Sequence, residues 1–483
     1  MFCYFSDRSN CPLLWLTDFT LSGDGGTETK NYNATLIAQT GVSDSPHTKA
    51  LQQVQNINEA SGYTPYNFSN STGDATVENT ANCYVINAPG QYSLPLVYGN
   101  AIKNGTTNSS AYISSASGSN VLKNFINHLG AAITNPYIYL NANCTPKDAV
   151  LIWQDRLNLV TNVTYVSDNQ SITFDVPQEN IGQGNAVIAI RDASGQIMWS
   201  WHIWITDYKL GTDLKTVIYQ DQSYTMLPVS LGWCDSEATV YSTRTCSVRF
   251  TQTQTGETKI ITINQTENTF SVGANCPYYQ WGRKDPILPS AGTDGNLNKT
   301  WYNAKGEAST TLVAKNWAPG NVTIISGIIN PEIYCANVTM DNIYFNLWSS
   351  NNNTSSLDET TSVKTVYDPC PEGYKIPVPN AFRAFTTTGD DTSDPSNING
   401  IWDASLHSWA FECDEGSVLF PILGFRFDVS GVLSNIGLSG YCWTAIPSLI
   451  YESHSFGYYA TFIYPQYLSN RAYGILVRPI REL

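Results

Sequence analysis

The residues able to do chemistry are few and far apart. Five histidines, His47, His128, His202, His407 and His454, are spread along 483 residues. None has a nucleophile or a carboxylate tied to it by local spacing. His202 sits inside an apolar run and reads as a packing histidine with satisfied ring nitrogens rather than an acid–base catalyst. Eleven cysteines occur with no Cys-x-x-Cys pair, so zinc-ribbon and thioredoxin-type chemistry lacks its donors. Buried free thiols account for most of them, with one or two bridges left open. The densest acid run is Glu412-Cys413-Asp414-Glu415-Gly416. A glycosidase needs two carboxylates facing each other, roughly 5–9.5 Å apart, and this run reads better as an exposed turn ahead of a strand at 418–421. The stretch 389–400 is oxygen-rich, with Asp390, Asp391, Asp394, Asn397 and Asn399, but lacks the glutamate that closes an EF-hand loop. A solvated loop is its simpler reading. No metal and no cofactor follows from any of these groups.

Two further runs are candidates for binding. In Trp281-Gly282-Arg283-Lys284-Asp285-Pro286, Trp281 offers a ring on which the C–H face of a sugar can stack, and Arg283 and Asp285 offer partners for hydroxyls. The competing reading buries Trp281 in the core and pairs Arg283 internally, with Asp285 or with a carboxylate near the end of the chain. Asp368-Pro369-Cys370-Pro371-Glu372-Gly373 is stiff, because two prolines fix φ and remove two donors. Asp368 is placed to accept from the N–H groups just after it, Gly373 to allow the bend, and Cys370 to enter the core.

The elements that must position these residues are strands. Charged residues are only 13% of the chain, against 42% apolar, and 13 Trp, 29 Tyr and 17 Phe are present. That mixture suits half-buried pleated surfaces joined by polar turns. The net charge of −15, with no basic stripe, argues against nucleic-acid binding, and no apolar run approaches a membrane span. Residues 163–166 and 172–176 read as one hairpin. Residues 186–190 and 197–205 read as a second, with Gly195 at the position needing positive φ. The second is apolar on nearly both faces, so one of its strands is expected at the centre of a sheet; Trp199 and Trp201 share a face, and Trp204 takes the other. Strands are also expected at 83–88 and at 92–98, the latter an edge because of Pro95, and at 216–219, 224–228, 247–251 and 260–264. Residues 31–39 alternate like a strand, residues 40–76 read as a linker, and residues 120–129 carry a helical spacing.

Three stretches of the last two hundred residues form a pattern: Tyr278-Tyr279-Gln280-Trp281-Gly282-Arg283-Lys284-Asp285-Pro286; Tyr367-Asp368-Pro369-Cys370-Pro371-Glu372-Gly373-Tyr374-Lys375-Ile376-Pro377; and Gly440-Tyr441-Cys442-Trp443 followed by 471–482, which includes Arg478 and Glu482. In order and spacing, residues 276–483 resemble the FISUMP-type "major paralogous" domain, which is similar to C-type-lectin-like folds and sits on exported surface proteins of gut-associated Gram-negative bacteria. The run 81–84, the run 95–101 and the run 184–189 resemble β-sandwich modules of fimbrillin-family and fimbrial tip proteins. The resemblance implies structural roles for Asp368, Pro369, Cys370, Pro371, Gly373, Trp443, Arg478 and Glu482. Such domains carry a cysteine in the last strand that could pair with the cysteine of the Asp-Pro-Cys-Pro run; here Pro479 takes that place. The Ca2+-binding triplets of sugar-binding lectins are missing, and Val378-Pro379-Asn380 lacks the carboxylate.

The fold expected is therefore mainly β, with N-terminal β-sandwich modules of immunoglobulin or fimbrillin type followed by a loop-rich α+β C-type-lectin-like domain. The divisions expected are 1–76, a partial β module and linker; 77–210, a β-sandwich; 211–275, a small β-rich connecting module; and 276–483, the lectin-like domain. The start of the chain lacks the basic and apolar stretches of a signal peptide, and it reads as an internal start of a longer exported protein. The function expected is a non-enzymatic cell-surface adhesin, a fimbrial tip or accessory subunit at the outer membrane. Its partners would be a host or bacterial surface glycan or protein, and a neighbouring fimbrial subunit docked by strand addition. The absence of a strand to donate after the last motif favours a tip position. A surface carbohydrate-active enzyme and a purely structural module are the alternatives.

Overall fold

An apolar run with no polar face has to be covered on both sides. In the computed structural model all nine residues of Ile197–Ile205 are buried. The structure describes residues 14–15, 37–38, 42–251, 258–292, 295–336, 344–353, 361–448 and 450–482. The tryptophan strand Ile197–Ile205 pairs antiparallel with Gly184–Asp192 and parallel with Cys83–Ile86. Gly195, at φ 82°, turns the hairpin. Pro146–Gln154 flanks Gly184–Asp192, and the short strands Trp301–Tyr302 and Ala308–Ser309 complete a six-stranded sheet.

A four-stranded sheet follows the order Thr161–Val166, Ser171–Val176, Gly90–Pro95, Tyr66–Asn67. Ile172, Phe174, Tyr92 and Leu94 from this sheet and Ile188, Trp199, Trp201 and Ile203 from the first enter one hydrophobic cluster. The chain is mainly β, as its composition implies. The strand Gly90–Pro95 is not an edge, because Tyr66–Asn67 pairs with its Tyr92 and Ser93. That short neighbour ends before Pro95, so the missing N–H is never needed.

The other face of the tryptophan strand is covered by the later chain. Ser200 Oγ donates to Asp285 at 2.7 Å, and the Tyr279 hydroxyl lies 3.1 Å from His202 Nδ1. The helix Asn321–Ile329 packs on the same strand. Residues 47–236 and 273–483 accordingly form one compact unit, and residues 1–46 with 237–272 form another. The expected division at 276 thus falls inside a continuous core, whose cluster runs from Leu51 to Val477. A second cluster of the larger unit gathers Phe382, Phe385, Phe411, Phe420 and Phe456 with Val217, Tyr224 and Met226.

In the smaller unit, Val42–Ser43, Glu237–Tyr241 and Asn268–Val272 make a three-stranded sheet, and Arg244–Thr251 pairs with Thr258–Gln265. Of the strand expected at 31–39 only Ile37–Ala38 is described, paired with Leu14–Trp15; the rest lies outside the described residues. Within the expected linker 40–76 the structure has the helices Pro46–Gln53 and Ile57–Ser61. Residues 120–129 form no helix. Their backbone donors are taken by distant partners: Leu122 N–H by Asn346 Oδ1, Phe125 N–H by Tyr112 O and Ile126 N–H by the Tyr367 hydroxyl. Tertiary hydrogen bonding overrides the local spacing there. No helix among the described residues is long and apolar enough to cross a membrane.

Candidate ligand-binding surface

The residues first considered for ligand contact lie inside the protein. Trp281 has no exposed surface. Its indole N–H donates to Thr444 O at 3.0 Å, the Arg471 guanidinium lies 4.3 Å from its ring, and Trp348 packs at 5.4 Å. Trp348 in turn meets Trp443, whose N–H donates to Tyr279 O at 2.7 Å. A sugar ring has no access to Trp281 in this arrangement. Arg283 does not pair with Asp285. It donates to Gln280 Oε1 and Ile333 O, both at 2.8 Å, and to Asn330 O and Pro331 O. Asp285 pairs instead with Lys284, both of its oxygens 2.8 Å from Nζ. Burial lowers the Lys284 pKa to about 8, against the opposing charge of Asp285.

The Asp-Pro-Cys-Pro turn has the form expected of it. Asp368 accepts from Cys370 N–H at 2.8 Å and Ile376 N–H at 3.0 Å, Cys370 is fully buried, and Gly373 has φ 73°. Lys364 donates to the carbonyls of Cys370 and Pro371. Glu482 meets Lys103 at 2.5 Å and lies 3.8 Å from Lys364. Arg478 is buried, 4.4 Å from the Phe420 ring, with a donor on Leu227 O. Cys83, Cys144, Cys276, Cys335, Cys370 and Cys442 are buried free thiols, and Cys413 is a half-buried one. Asp368, Cys370 and Arg478 thus lie in the core, while Glu482 pairs with the exposed Lys103.

Other candidates are equally ordinary. The acid run turns between Ser408–Cys413 and Gly416–Pro421, and Asp414 Oδ1 accepts from Thr216 N–H. Asp394 caps the 3-10 turn Pro395–Asn397. His202 is a core residue, with Nε2 on Asn185 Oδ1 at 2.9 Å. Burial lowers its pKa to about 3. Among the described residues no group of three or more His, Cys, Asp or Glu is placed to hold a metal ion.

A different surface stands out. Ser439–Pro447, Glu452–Tyr459 and Ile463–Asn470 form a three-stranded antiparallel sheet. Alternation, with one register shift in the last strand pair, puts Tyr441, Trp443, Gly457, Tyr459, Tyr464 and Tyr467 on one face. At the inner end that face is Trp443, in the core. At the outer end the rings emerge. Tyr441 packs on Tyr467 at 5.5 Å and Tyr467 on Tyr464 at 5.4 Å, with Phe462 stacked beyond at 5.7 Å. In the other direction Tyr441 meets Phe425 at 5.6 Å, Phe425 meets Tyr473 at 5.1 Å, and Tyr473 meets Phe427 at 6.1 Å. Tyr459 bridges Tyr441 and Tyr464.

Two local features make this ribbon. A Cβ at Gly457 would lie 3.2 Å from Tyr467 and 3.3 Å from Tyr441, so the bare backbone there lets both rings close over it. A register shift between Ser455 and Gly457 brings Tyr464 and Tyr467, an odd spacing, onto the same face. Tyr459, Tyr464, Tyr467, Phe425 and Tyr473 are half-buried, while Phe427 and Phe462 are exposed. Burial raises the pKa of Tyr441, Tyr467 and Tyr473, so their phenols stay protonated at neutral pH. The ribbon thus offers ring faces flanked by neutral hydroxyls and no nucleophile. Of the ribbon rings, only Tyr441 and Tyr473 lay in runs singled out from the sequence; the signal for Tyr459, Phe462, Tyr464 and Tyr467 is the density of aromatics between 456 and 473, and Phe425 and Phe427 carry none. No protein-family model, curated protein or solved structure matches the chain.

Proposed function

We propose that this protein is a non-enzymatic surface adhesin that holds a glycan against the aromatic ribbon. The observation that carries the reading is the ribbon itself: half-exposed and exposed rings gathered around the buried Tyr441. Exposed apolar patches of this kind mark recognition surfaces. Tyrosine supplies contact area at small entropic cost, with a polar tip for hydrogen bonds. Pyranose rings present apolar C–H faces edged by hydroxyls, which match ring faces edged by phenols. The resemblance of 276–483 to a FISUMP-type, lectin-like domain, and of the earlier runs to fimbrillin-type sandwiches, belongs to this reading, as does placement at the cell surface. A neighbouring subunit docked by strand addition would use Thr161–Val166, which ends its sheet and is half-exposed.

The test is a glycan array probed with the purified chain and with a Tyr464→Ala/Tyr467→Ala variant of unchanged melting profile. The reading expects glycans bound by the native chain to be lost from the variant by about tenfold or more, roughly the worth of 1.4 kcal/mol. Equal binding by the two proteins, or no glycan bound by either, would refute it.

A further inference from the structure

The buried polar network beside the tryptophan strand ends in a carboxylate, a lysine and an amide that touch. His202 Nε2 lies 2.9 Å from Asn185 Oδ1. Asn185 gives its backbone N–H to Asp155 Oδ1 at 2.6 Å and its side-chain N–H to Asp155 Oδ2 at 3.0 Å. Lys299 Nζ then lies 3.0 Å from Asp155 Oδ2 and 3.2 Å from Asn275 Oδ1. Asp155, Asn275 and Lys299 are 5%, 1% and 8% exposed, so the three meet out of reach of bulk water.

Backbone contacts hold each of them in place. Asp155 follows the strand Pro146–Gln154, and its N–H donates to Asn185 O at 2.9 Å. Asn275 exchanges both backbone hydrogen bonds with Cys234, each 2.9 Å, and its side-chain N–H donates to Gly273 O at 2.9 Å. Lys299 N–H donates to Pro289 O at 3.0 Å. The lysine nitrogen therefore rests against the amide with little freedom to leave it, which is the condition under which a slow bimolecular reaction becomes an intramolecular one. An ion pair at this depth gains little over apolar side chains of the same volume, and here it has a third member with a reactive carbonyl. The other buried pair, Lys284 with Asp285, has as its further partners the carbonyl and hydroxyl of Ser200, and no side-chain amide. Burial works to strip the proton from Lys299, the Asp155 carboxylate outweighs it, and the net pKa shift is upward. The proton has to pass to Asp155 before the amine can attack, and the 3.0 Å contact is its path.

We propose that Lys299 and Asn275 condense into an isopeptide bond, with Asp155 carrying the proton. Lys299 Nζ passes one proton to Asp155 Oδ2, and its freed lone pair attacks Asn275 Cγ. The Nζ–Cγ bond forms and the Cγ–Nδ2 bond breaks. A second proton from Nζ leaves with Nδ2, and Asp155 returns the first, so ammonium departs and the carboxylate is restored. No electrons change hands, and no further reagent is needed. The bond closes residues 275–299 into a ring that contains the buried run 278–285, at the place where the chain re-enters the larger unit after residue 272. It does not rest on the glycan reading, and it uses no residue of the ribbon.

The test is the intact mass of the purified whole chain, reduced and unfolded in acid, together with its tryptic map. The chain should weigh about 17 Da, one ammonia, less than its sequence. Trypsin does not cut beside an amidated lysine, so residues 260–283 and 285–305 should appear as one branched peptide. Lys299→Gln and Asn275→Ala should each show the full mass of their own sequences. Asp155→Asn, checked for native far-UV circular dichroism, should slow bond formation about a hundredfold or more, read as mostly unlinked chains. A native chain at full sequence mass overturns the proposal whatever the variants do. The same mass loss without the branched peptide overturns it too, because succinimide formation at a step such as Asn104-Gly105 also releases ammonia. Complete linkage in folded Asp155→Asn would overturn the part given to Asp155.

Discussion

Removing Lys284 should expose how the two halves of the larger unit are locked together. Its ammonium lies 2.8 Å from both oxygens of Asp285, 2.9 Å from Ser200 O and 4.6 Å from the centre of the Trp199 ring. The two side chains are 3% and 2% exposed, so water cannot replace a lost partner. Lys284→Met keeps the stem and deletes the charge, leaving the Asp285 carboxylate with the Ser200 hydroxyl. Breaking a buried pair in this way costs about 3–5 kcal/mol, whereas replacing both partners by apolar groups of similar volume is often close to neutral. Lys284→Met and Asp285→Leu should each lower stability by that amount. The double variant should cost far less than the two together, a coupling read from a double-mutant cycle. Urea unfolding at pH 7, followed by tryptophan fluorescence and far-UV circular dichroism, measures all four proteins. Additive single losses, or a Lys284→Met cost under about 1 kcal/mol, would refute the reasoning, because such values belong to a hydrated pair.

Acid stability should depend on His202. Its pKa is lowered to about 3 by burial, against ~6.5 in an unfolded chain. The unfolded state therefore binds the extra proton between those values, and stability falls as pH drops below 6.5 by up to about 1.4 kcal/mol per unit. Between pH 7 and 4.5 the native protein should lose about 2–3 kcal/mol more than His202→Gln, measured by urea midpoints; parallel pH profiles would contradict this. Two glycines at positive φ should differ sharply on change to alanine. Gly373, at φ 73° with nothing within 4 Å of a Cβ, should cost about 1 kcal/mol. Gly424, where a Cβ would meet Ser434 O at 2.1 Å and Ile436 N at 2.7 Å, should cost several times that, and equal melting shifts for the two would undo the argument.

The sequence made some of this legible because certain signals are local. The run 197–205 is apolar on both faces, and only a central strand can bury both. The Asp-Pro-Cys-Pro run carries its own turn chemistry, so Asp368 accepting from Cys370 and Ile376 needed no distant partner. The helical spacing at 120–129 misled because its backbone donors are answered from Asn346 and Tyr367, more than 200 residues later. The ribbon was illegible for a related reason. Phe425, Tyr441, Tyr467 and Tyr473 lie on separate segments, and a register shift puts Tyr464 and Tyr467 on one face although strict alternation would separate them.

The position of the ribbon follows from the same burial that organises the core. A sheet face that begins at Trp443, wedged against Trp348 with its N–H on Tyr279 O, cannot rotate independently of the strand beneath it. Tyr279 also meets His202 on the tryptophan strand, so a chain of packed side chains runs from the central sheet to the first ring of the ribbon, Tyr441. Each ring beyond is held by its neighbour at 5–6 Å. Recognition surfaces gain affinity when their ordering cost has been met before the ligand arrives. On the proposed reading, the burial of Trp281 and Trp443 would support binding indirectly: these rings lie out of a ligand's reach and anchor the sheet that carries the exposed ones.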